Sequence, residues 1–296
     1  MSGVRTKVKS NFPFVIDIAE SRKLSGVCSF VPDEAKGKRP IAFILHGFKG
    51  NSEWGFIPLI RDMLAGNGCF AVSYNHSLNG FLPGSVLLDV EKFRRMTITS
   101  QLAELSFLID HPERILPPSL SSEWNGEILL CGHSMGAAIA LVFAGEHPQL
   151  VSKLAMLAPI ASFNRYYTDR QIEVWRENSY LQFQNARTGQ QLILDSTFLN
   201  DFVENESRFD LAKAIVETRS KILIAHGETD LTAKIAESEF LYSNADKTGT
   251  RFSVFPHCNH SFNFDMENDP KKNMALARLL HELKEFFGND NETTTL

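Results

Sequence analysis

Glu127-Ile-Leu-Leu-Cys131 runs into Gly132-His133-Ser134-Met135-Gly136, and Ala137-Ala-Ile-Ala-Leu-Val-Phe-Ala-Gly-Glu146 follows. The first run is short and apolar and predicts a buried strand; Gly136 to Glu146 predicts a helix. The Gly-x-Ser-x-Gly pattern therefore falls on a strand-to-helix turn. A turn this tight holds its central serine at a strained backbone conformation, and the flanking glycines leave room for neighbouring backbone. The serine then projects at the C-terminal edge of a sheet, beside the positive end of a helix dipole. An ordinary Gly-rich turn would carry the glycines without strand and helix in this order. Ser134 is a candidate nucleophile.

Outward from this turn the chain alternates between the two periods. Ile41 to Leu45, Cys69 to Tyr74, Leu154 to Leu157, Lys221 to Ala225 and Arg251 to Phe255 read as strands. Phe56 to Ala65, Thr97 to Asp110, Ala233 to Asn244 and Asn273 to Phe287 read as helices; the second has apolar residues at Ile98, Leu102, Leu105 and Ile109 and is stopped by His111-Pro112. Continuous apolar strands suit a parallel sheet buried on both faces, so the fold class is α/β, with right-handed crossovers. Phe12 to Glu20 and Lys23 to Val31 predict an opening antiparallel hairpin. Between Ala161 and Arg219 the alternation stops, nine aromatics stand among scattered charges, and no sheet strand is evident. We read 161–219 as an inserted cap on a core of residues 1–160 and 220–296, with a frayed polar tail from Asn289 to Leu296.

The 296 residues are 43% apolar, enough to bury a sizeable core. Thirty basic and thirty-five acidic residues leave a net charge of −5, which argues against a nucleic-acid partner. No run reaches the roughly 18–20 apolar residues of a membrane helix, and Met1 to Ser10 leads into Asn11-Phe12-Pro13 without an apolar signal core. A protein without membrane contact, cytoplasmic, is expected. Cys28, Cys69, Cys131 and Cys258 lack Cys-x-x-Cys spacing and fit packed, reduced thiols. Self-association into a homo-oligomer is left open.

A serine hydroxyl needs a base within hydrogen-bond reach, and the base needs an orienting carboxylate. The strand Lys221 to Ala225 runs into His226-Gly227-Glu228-Thr229-Asp230, which offers Glu228 and Asp230 at a strand's C-terminal end. The strand Arg251 to Phe255 runs into Pro256-His257-Cys258-Asn259-His260-Ser261-Phe262, which offers His257 and His260.

Together these motifs make the chain, over roughly residues 12 to 287, similar to the α/β-hydrolases. Within them it resembles the serine-esterase branch of cinnamoyl and feruloyl esterases and dienelactone-hydrolase-like proteins. His46-Gly47-Phe48-Lys49-Gly50 resembles the family's oxyanion loop, Gly132 to Gly136 its elbow, His226-Gly227-x-x-Asp230 its acid loop and Asn259-His260-Ser261-Phe262 its histidine loop. The chain has Asn259 where the family often has Gly, and Leu231-Thr232 where it often has Val-Pro. The resemblance implies Ser134 as nucleophile, His260 as base and Asp230 as acid, with the Phe48 and Met135 amides facing the oxyanion. It implies no cofactor and a small-molecule ester as partner.

His46, His133 and His226 then read as structural, bracing loops or packing. Two histidines three apart with no distant pair do not suggest a metal. Most cap aromatics are expected to form the cap's own core, while Tyr166, Tyr167, Trp175 and Phe202 are candidates for binding a short-chain or aromatic acyl group. Two rivals stand beside the esterase. An aminopeptidase or amidase would need an acidic group for a substrate amine, for which the cap offers Glu173, Glu177, Glu204 and Glu206. A binding protein that kept the hydrolase shell would need no reaction at all.

Overall fold

Ile41, Phe43 and Leu45 join one buried cluster while Ala42 and Ile44 join another, so the continuous apolar run is covered on both faces. The computed structural model describes residues 9–32, 37–164, 168–265 and 272–288. Its strands are β1 (Ser10–Ala19), β2 (Arg22–Phe30), β3 (Arg39–Leu45), β4 (Phe70–Asn75), β5 (Trp124–His133), β6 (Val151–Leu157), β7 (Tyr180–Gln184), β8 (Gln191–Asp195), β9 (Lys221–Gly227) and β10 (Thr250–Phe255). The helices are α1 (Ile57–Gly66), α2 (Val90–Phe93), α3 (Ile98–Asp110), α4 (Met135–Glu146), α5 (Asp169–Asn178), α6 (Ser196–Glu204), α7 (Leu211–Glu217), α8 (Ile235–Asn244) and α9 (Met274–Phe287).

Eight strands form one sheet in the order β1-β2-β4-β3-β5-β6-β9-β10. β1, β2 and β4 pair antiparallel, and from β4 to β10 every pair is parallel. The predicted hairpin is present, turning at Glu20 and Ser21, and this is the α/β architecture expected. Leu276, Leu279 and Leu283 of α9 join Ile57, Ile60 and Leu64 of α1 on one face. Leu102 and Leu105 of α3 and the apolar residues of α4 cover the other. Every residue of α4 from Met135 to Gly145 is buried, which explains why this helix lacks a polar stripe. Gly145 lets α7 close in: a Cβ there would lie 3.0 Å from the Ala214 carbonyl oxygen.

Chain order reverses at β3, which lies between β4 and β5. Loops leaving the C-terminal ends of β3 and β5 therefore diverge and leave a crevice, the usual ligand position in such sheets. The register pairs Leu45 with Gly132 and His133 with Leu157, so the His46 loop and the Ser134 turn leave the sheet side by side.

Residues 161–219 hold α5, β7, β8, α6 and α7. The strand-free reading of this segment misses the β7–β8 hairpin, which is a separate two-stranded sheet. Only Leu181 and Phe183 alternate with the glutamines of β7, too few to signal a strand. Hydrogen bonds to residues about a hundred positions away fix the hairpin: Gln190 exchanges two with the Leu88 backbone (2.9 and 2.7 Å), and Asp195 accepts from Arg94 at 2.8 Å.

Gly136 sits where α4 crosses the end of β3, and a Cβ there would come within 2.5 Å of the Leu45 and His46 carbonyl oxygens. Gly136→Ala is expected to cost roughly 2–4 kcal/mol of stability. That corresponds to a fall in Tm of roughly 4–16 °C for a domain of this size. Thermal unfolding followed by circular dichroism measures it; an unchanged Tm would contradict the packing.

Candidate active site

Ser134 stands at φ 55°, ψ −119°, a region an L-residue enters only under constraint. Its N–H donates to the Leu157 carbonyl at 2.9 Å, and its own carbonyl accepts from Ala137 N–H at 3.0 Å. Gly132 is needed because a Cβ there would lie 2.4 Å from the Gly136 carbonyl oxygen, and Gly47 presses so close that its Cβ would lie 3.0 Å from Ser134 Cβ. Met135 is the first residue of α4, so its N–H is among the four that a helix leaves without an intrahelical acceptor. Phe48 lines the cavity onto which Ser134 opens, and Phe48 and Met135 together line a small adjoining void of about 10 Å³.

His260 Nδ1 lies 2.6 Å from Asp230 Oδ2. A carboxylate only accepts, so Nδ1 carries the proton and Nε2 is left as the ring's acceptor. Asp230 Oδ1 accepts from the Thr232 and Ala233 N–H groups (2.7 and 2.9 Å). Burial raises the Asp230 pKa, but hydrogen bonds from His226 and His260 outweigh it and hold the carboxyl well below its usual range. His226 is fully buried: Nε2 donates to the Ala233 carbonyl (2.8 Å), lies 3.2 Å from Asp230 Oδ2, and Nδ1 accepts from Ser238 Oγ at 2.6 Å. It braces the acid loop.

The two loops are also tied by backbone. Thr229 N–H donates to the Cys258 carbonyl at 2.9 Å, and Gly227 allows this contact because a Cβ there would lie 2.4 Å from that oxygen. Asn259 orders its own loop, its Oδ1 accepting from the Ser261 and Asn263 N–H groups at 2.9 Å. Glu228 turns away from His260, accepting from the His257 N–H at 3.0 Å, and the His257 side chain is 92% exposed.

His46 and His133 are both buried. Asn79 donates to His46 Nε2 (3.1 Å), so His46 Nδ1 donates to the Gly47 carbonyl (2.9 Å) and holds the loop. His133 Nε2 donates to the His260 carbonyl at 3.0 Å. Burial lowers both pKa values to about 3, helped by repulsion from His76 at His46 and from His260 at His133. Behind them Glu104 of α3 is buried, accepts from Arg22 at 2.6 Å and bonds Ser77 and His76.

The cavity holding Ser134, His133 and His260 measures about 430 Å³. The segment 161–219 contributes Gln171, Leu181, Phe183, Asn185, Ala186 and Arg187 to its wall. Trp175 and Phe202 are not among them. Trp175 is fully buried, stacks on Phe198 at 6.0 Å, and with Phe202 lines a second cavity of about 180 Å³. The acyl-binding role expected of these two does not fit this placement; their bulk packs the segment's own interior. Tyr166 and Tyr167 lie outside the described residues. Sequence reading overlooked Lys49, Trp54 and Arg187 on the wall and treated Phe183 as one aromatic among nine. Among the described residues no cluster of three or more His, Cys, Asp or Glu could hold a metal, and no helix is long and apolar enough to cross a membrane.

Fold and site geometry define an α/β-hydrolase fold. A family model described as serine aminopeptidase, S33, matches residues 113–208. Est1E from Butyrivibrio proteoclasticus is 18% identical, with a TM-score of 0.67 over 93% of this chain and 96% of that one. The same protein with bound ferulic acid gives 19% and 0.68, over 92% and 97%. Dienelactone hydrolase from Anabaena variabilis gives 16% and 0.59, over 94% and 97%. No curated protein matches by sequence.

The low pKa values of His46 and His133 are testable. Each takes up a proton near 6.5 when unfolded and only near 3 when folded. In that window the unfolded chain binds more protons, so stability is complete above about pH 6.5 and falls steadily toward pH 3. Imidazole NMR is expected to show both rings neutral and unchanged from pH 8 to pH 5; titration of either near pH 6.5 would contradict the burial.

Proposed function

We propose that the protein is a serine carboxylic-ester hydrolase that forms an acyl-enzyme on esters with short-chain or aromatic acyl groups. The observation that carries this reading is Ser134, held at positive φ, sharing one cavity with a His260 already hydrogen-bonded to Asp230 at 2.6 Å. His260 Nε2 takes the Ser134 proton as Oγ attacks the ester carbonyl, and the Phe48 and Met135 amides hold the developing oxyanion. The alcohol leaves with the proton from His260. Water, activated by the same imidazole, then releases the acid and restores Ser134. Asp230 stays ionised, which its lowered pKa favours, and stabilises the imidazolium. No step calls for a cofactor.

Cavity size supports the acyl preference, since about 430 Å³ is near the small end of the usual 300–1,000 Å³ for ligand sites. Residues 161–219 act as its cap, excluding water above Ser134. Ferulic acid bound to Est1E is an aromatic precedent within the same fold.

The matched family description favours a peptidase as the second reading. Such an enzyme needs a carboxylate for the substrate's amine, yet among the described residues none lines the cavity. Glu206 faces the second cavity instead, and Glu173, Glu177 and Glu204 line neither.

Rates on a graded panel of aryl esters test the reading. Ser134→Ala and His260→Ala are expected to lower kcat on the order of 10⁴-fold or more with the fold intact, and Asp230→Asn to fall steeply. His257→Ala and Glu228→Gln should stay near wild type. In the wild type kcat/KM should decline beyond about ten acyl carbons, at roughly 1 kcal/mol or more per clashing methylene. Near-normal turnover by Ser134→Ala, or faster hydrolysis of aminoacyl anilides than of esters, would overturn it.

A further inference from the structure

Lys49 and Arg187 both line the Ser134 cavity, and among the described residues no carboxylate lines it with them. Elsewhere several arginines are paired. Arg22, Arg39, Arg61, Arg94 and Arg208 each meet a carboxylate at 2.5–2.8 Å. At the cavity the contacts are of another kind. Lys49 Nζ lies 5.6 Å from the Phe48 ring centre and 5.7 Å from that of Phe183, and the Arg187 guanidinium stands 4.7 Å over Trp54. Such faces hold a cation in place and leave its N–H donors available.

The two residues also meet directly. Arg187 Nη2 donates to the Lys49 carbonyl at 3.4 Å. Burial lowers the Lys49 pKa, and repulsion from Arg187 lowers it further. Two like charges beside a partly desolvated pocket are unfavourable alone, and a bound anion relieves both the repulsion and the lost hydration. The surrounding structure keeps them there: Lys49 adopts a left-handed φ of 61° in the turn that holds Phe48. Arg187 lies in the β7–β8 turn, where Asn185 Oδ1 accepts from its N–H at 3.2 Å.

We propose that the natural ester carries a second, uncleaved carboxylate, and that Lys49 and Arg187 receive it while Phe48, Ile57 and Phe183 hold the carbon body. Resting on the esterase reading, this assigns the substrate class as an anionic ester with its charge set apart from the scissile bond. Arginine meets a carboxylate through paired N–H bonds, and lysine adds a point charge. Because Lys49 follows Phe48 in the chain, the anion is held on the same loop as the proposed oxyanion donor. The carboxylate can belong to the acyl half or to the alcohol half, and two matched substrate pairs separate these cases.

The first pair is monophenyl glutarate and phenyl methyl glutarate, followed by phenol release; the second is 3-(carboxymethyl)phenyl butyrate and its methyl ester. In one pair the anionic member is expected to have a kcat/KM about tenfold or more above its neutral partner, the scale of one charge-assisted contact. Lys49→Gln and Arg187→Gln should each erode that ratio, the double variant should abolish it, and Arg187→Lys should restore part of it. Equal rates within both pairs, or a ratio unmoved in the double variant, would overturn the inference while leaving a Ser134-dependent esterase intact. If no ester is turned over through Ser134, the esterase reading fails instead. Calorimetry of glutarate and 3-hydroxyphenylacetate with Ser134→Ala protein then decides on the charge site itself. Binding weakened about tenfold by the double substitution supports it; no binding, or binding that the substitutions leave unchanged, rejects it.

Discussion

A serine backbone held at φ 55°, ψ −119° is the constraint around which this protein is built. The conformation is unfavourable in isolation, by an amount on the order of 1–3 kcal/mol, and persists only because its surroundings over-determine it. Gly132 and Gly136 let β5, α4 and the end of β3 approach within distances that exclude any side chain. The Leu157 carbonyl at the end of β6 fixes the Ser134 N–H. Three neighbouring parallel strands thus converge on one residue, and reversal of chain order at β3 opens the space above it.

Around that point five histidines divide the work by burial and hydrogen bonding. His46, His133 and His226 each have both roles of the ring or the better part of them assigned to structure: a loop carbonyl, the His260 carbonyl, or Ser238 and Ala233. His257 points to solvent. His260 alone combines partial exposure, a carboxylate on Nδ1 and a place on the cavity wall. The Asp230 carboxylate is set up in the same way, because hydrogen bonds from His226, His260 and the Ala233 backbone, with the charge interaction with His260, overcome the burial that would otherwise neutralise it.

Most of the sheet and its helices were legible because local signals and tertiary packing agree. A continuous apolar run such as Ile41 to Leu45 has one stable use in an α/β layer, and Gly-x-Ser-x-Gly between strand and helix has few alternatives. The insertion was legible only as an interruption. Its β7–β8 hairpin is held by Gln190 on Leu88 and Asp195 on Arg94, pairings that no local pattern announces. Aromatic composition likewise drew Trp175 and Phe202 toward the substrate, although their shape suits the insertion's own interior. Arg187 carries no motif at all; its meaning comes from standing over Trp54 beside a cavity that no carboxylate among the described residues lines.

Rapid-quench mass spectrometry with an activated aryl ester measures the central chemistry directly. A burst of phenol close to one equivalent should coincide with an acyl group on the tryptic peptide containing Ser134, and the adduct should decay as turnover continues. An adduct on another residue, or steady product release with no acylated protein, would contradict Ser134 as the nucleophile around which the fold is organised.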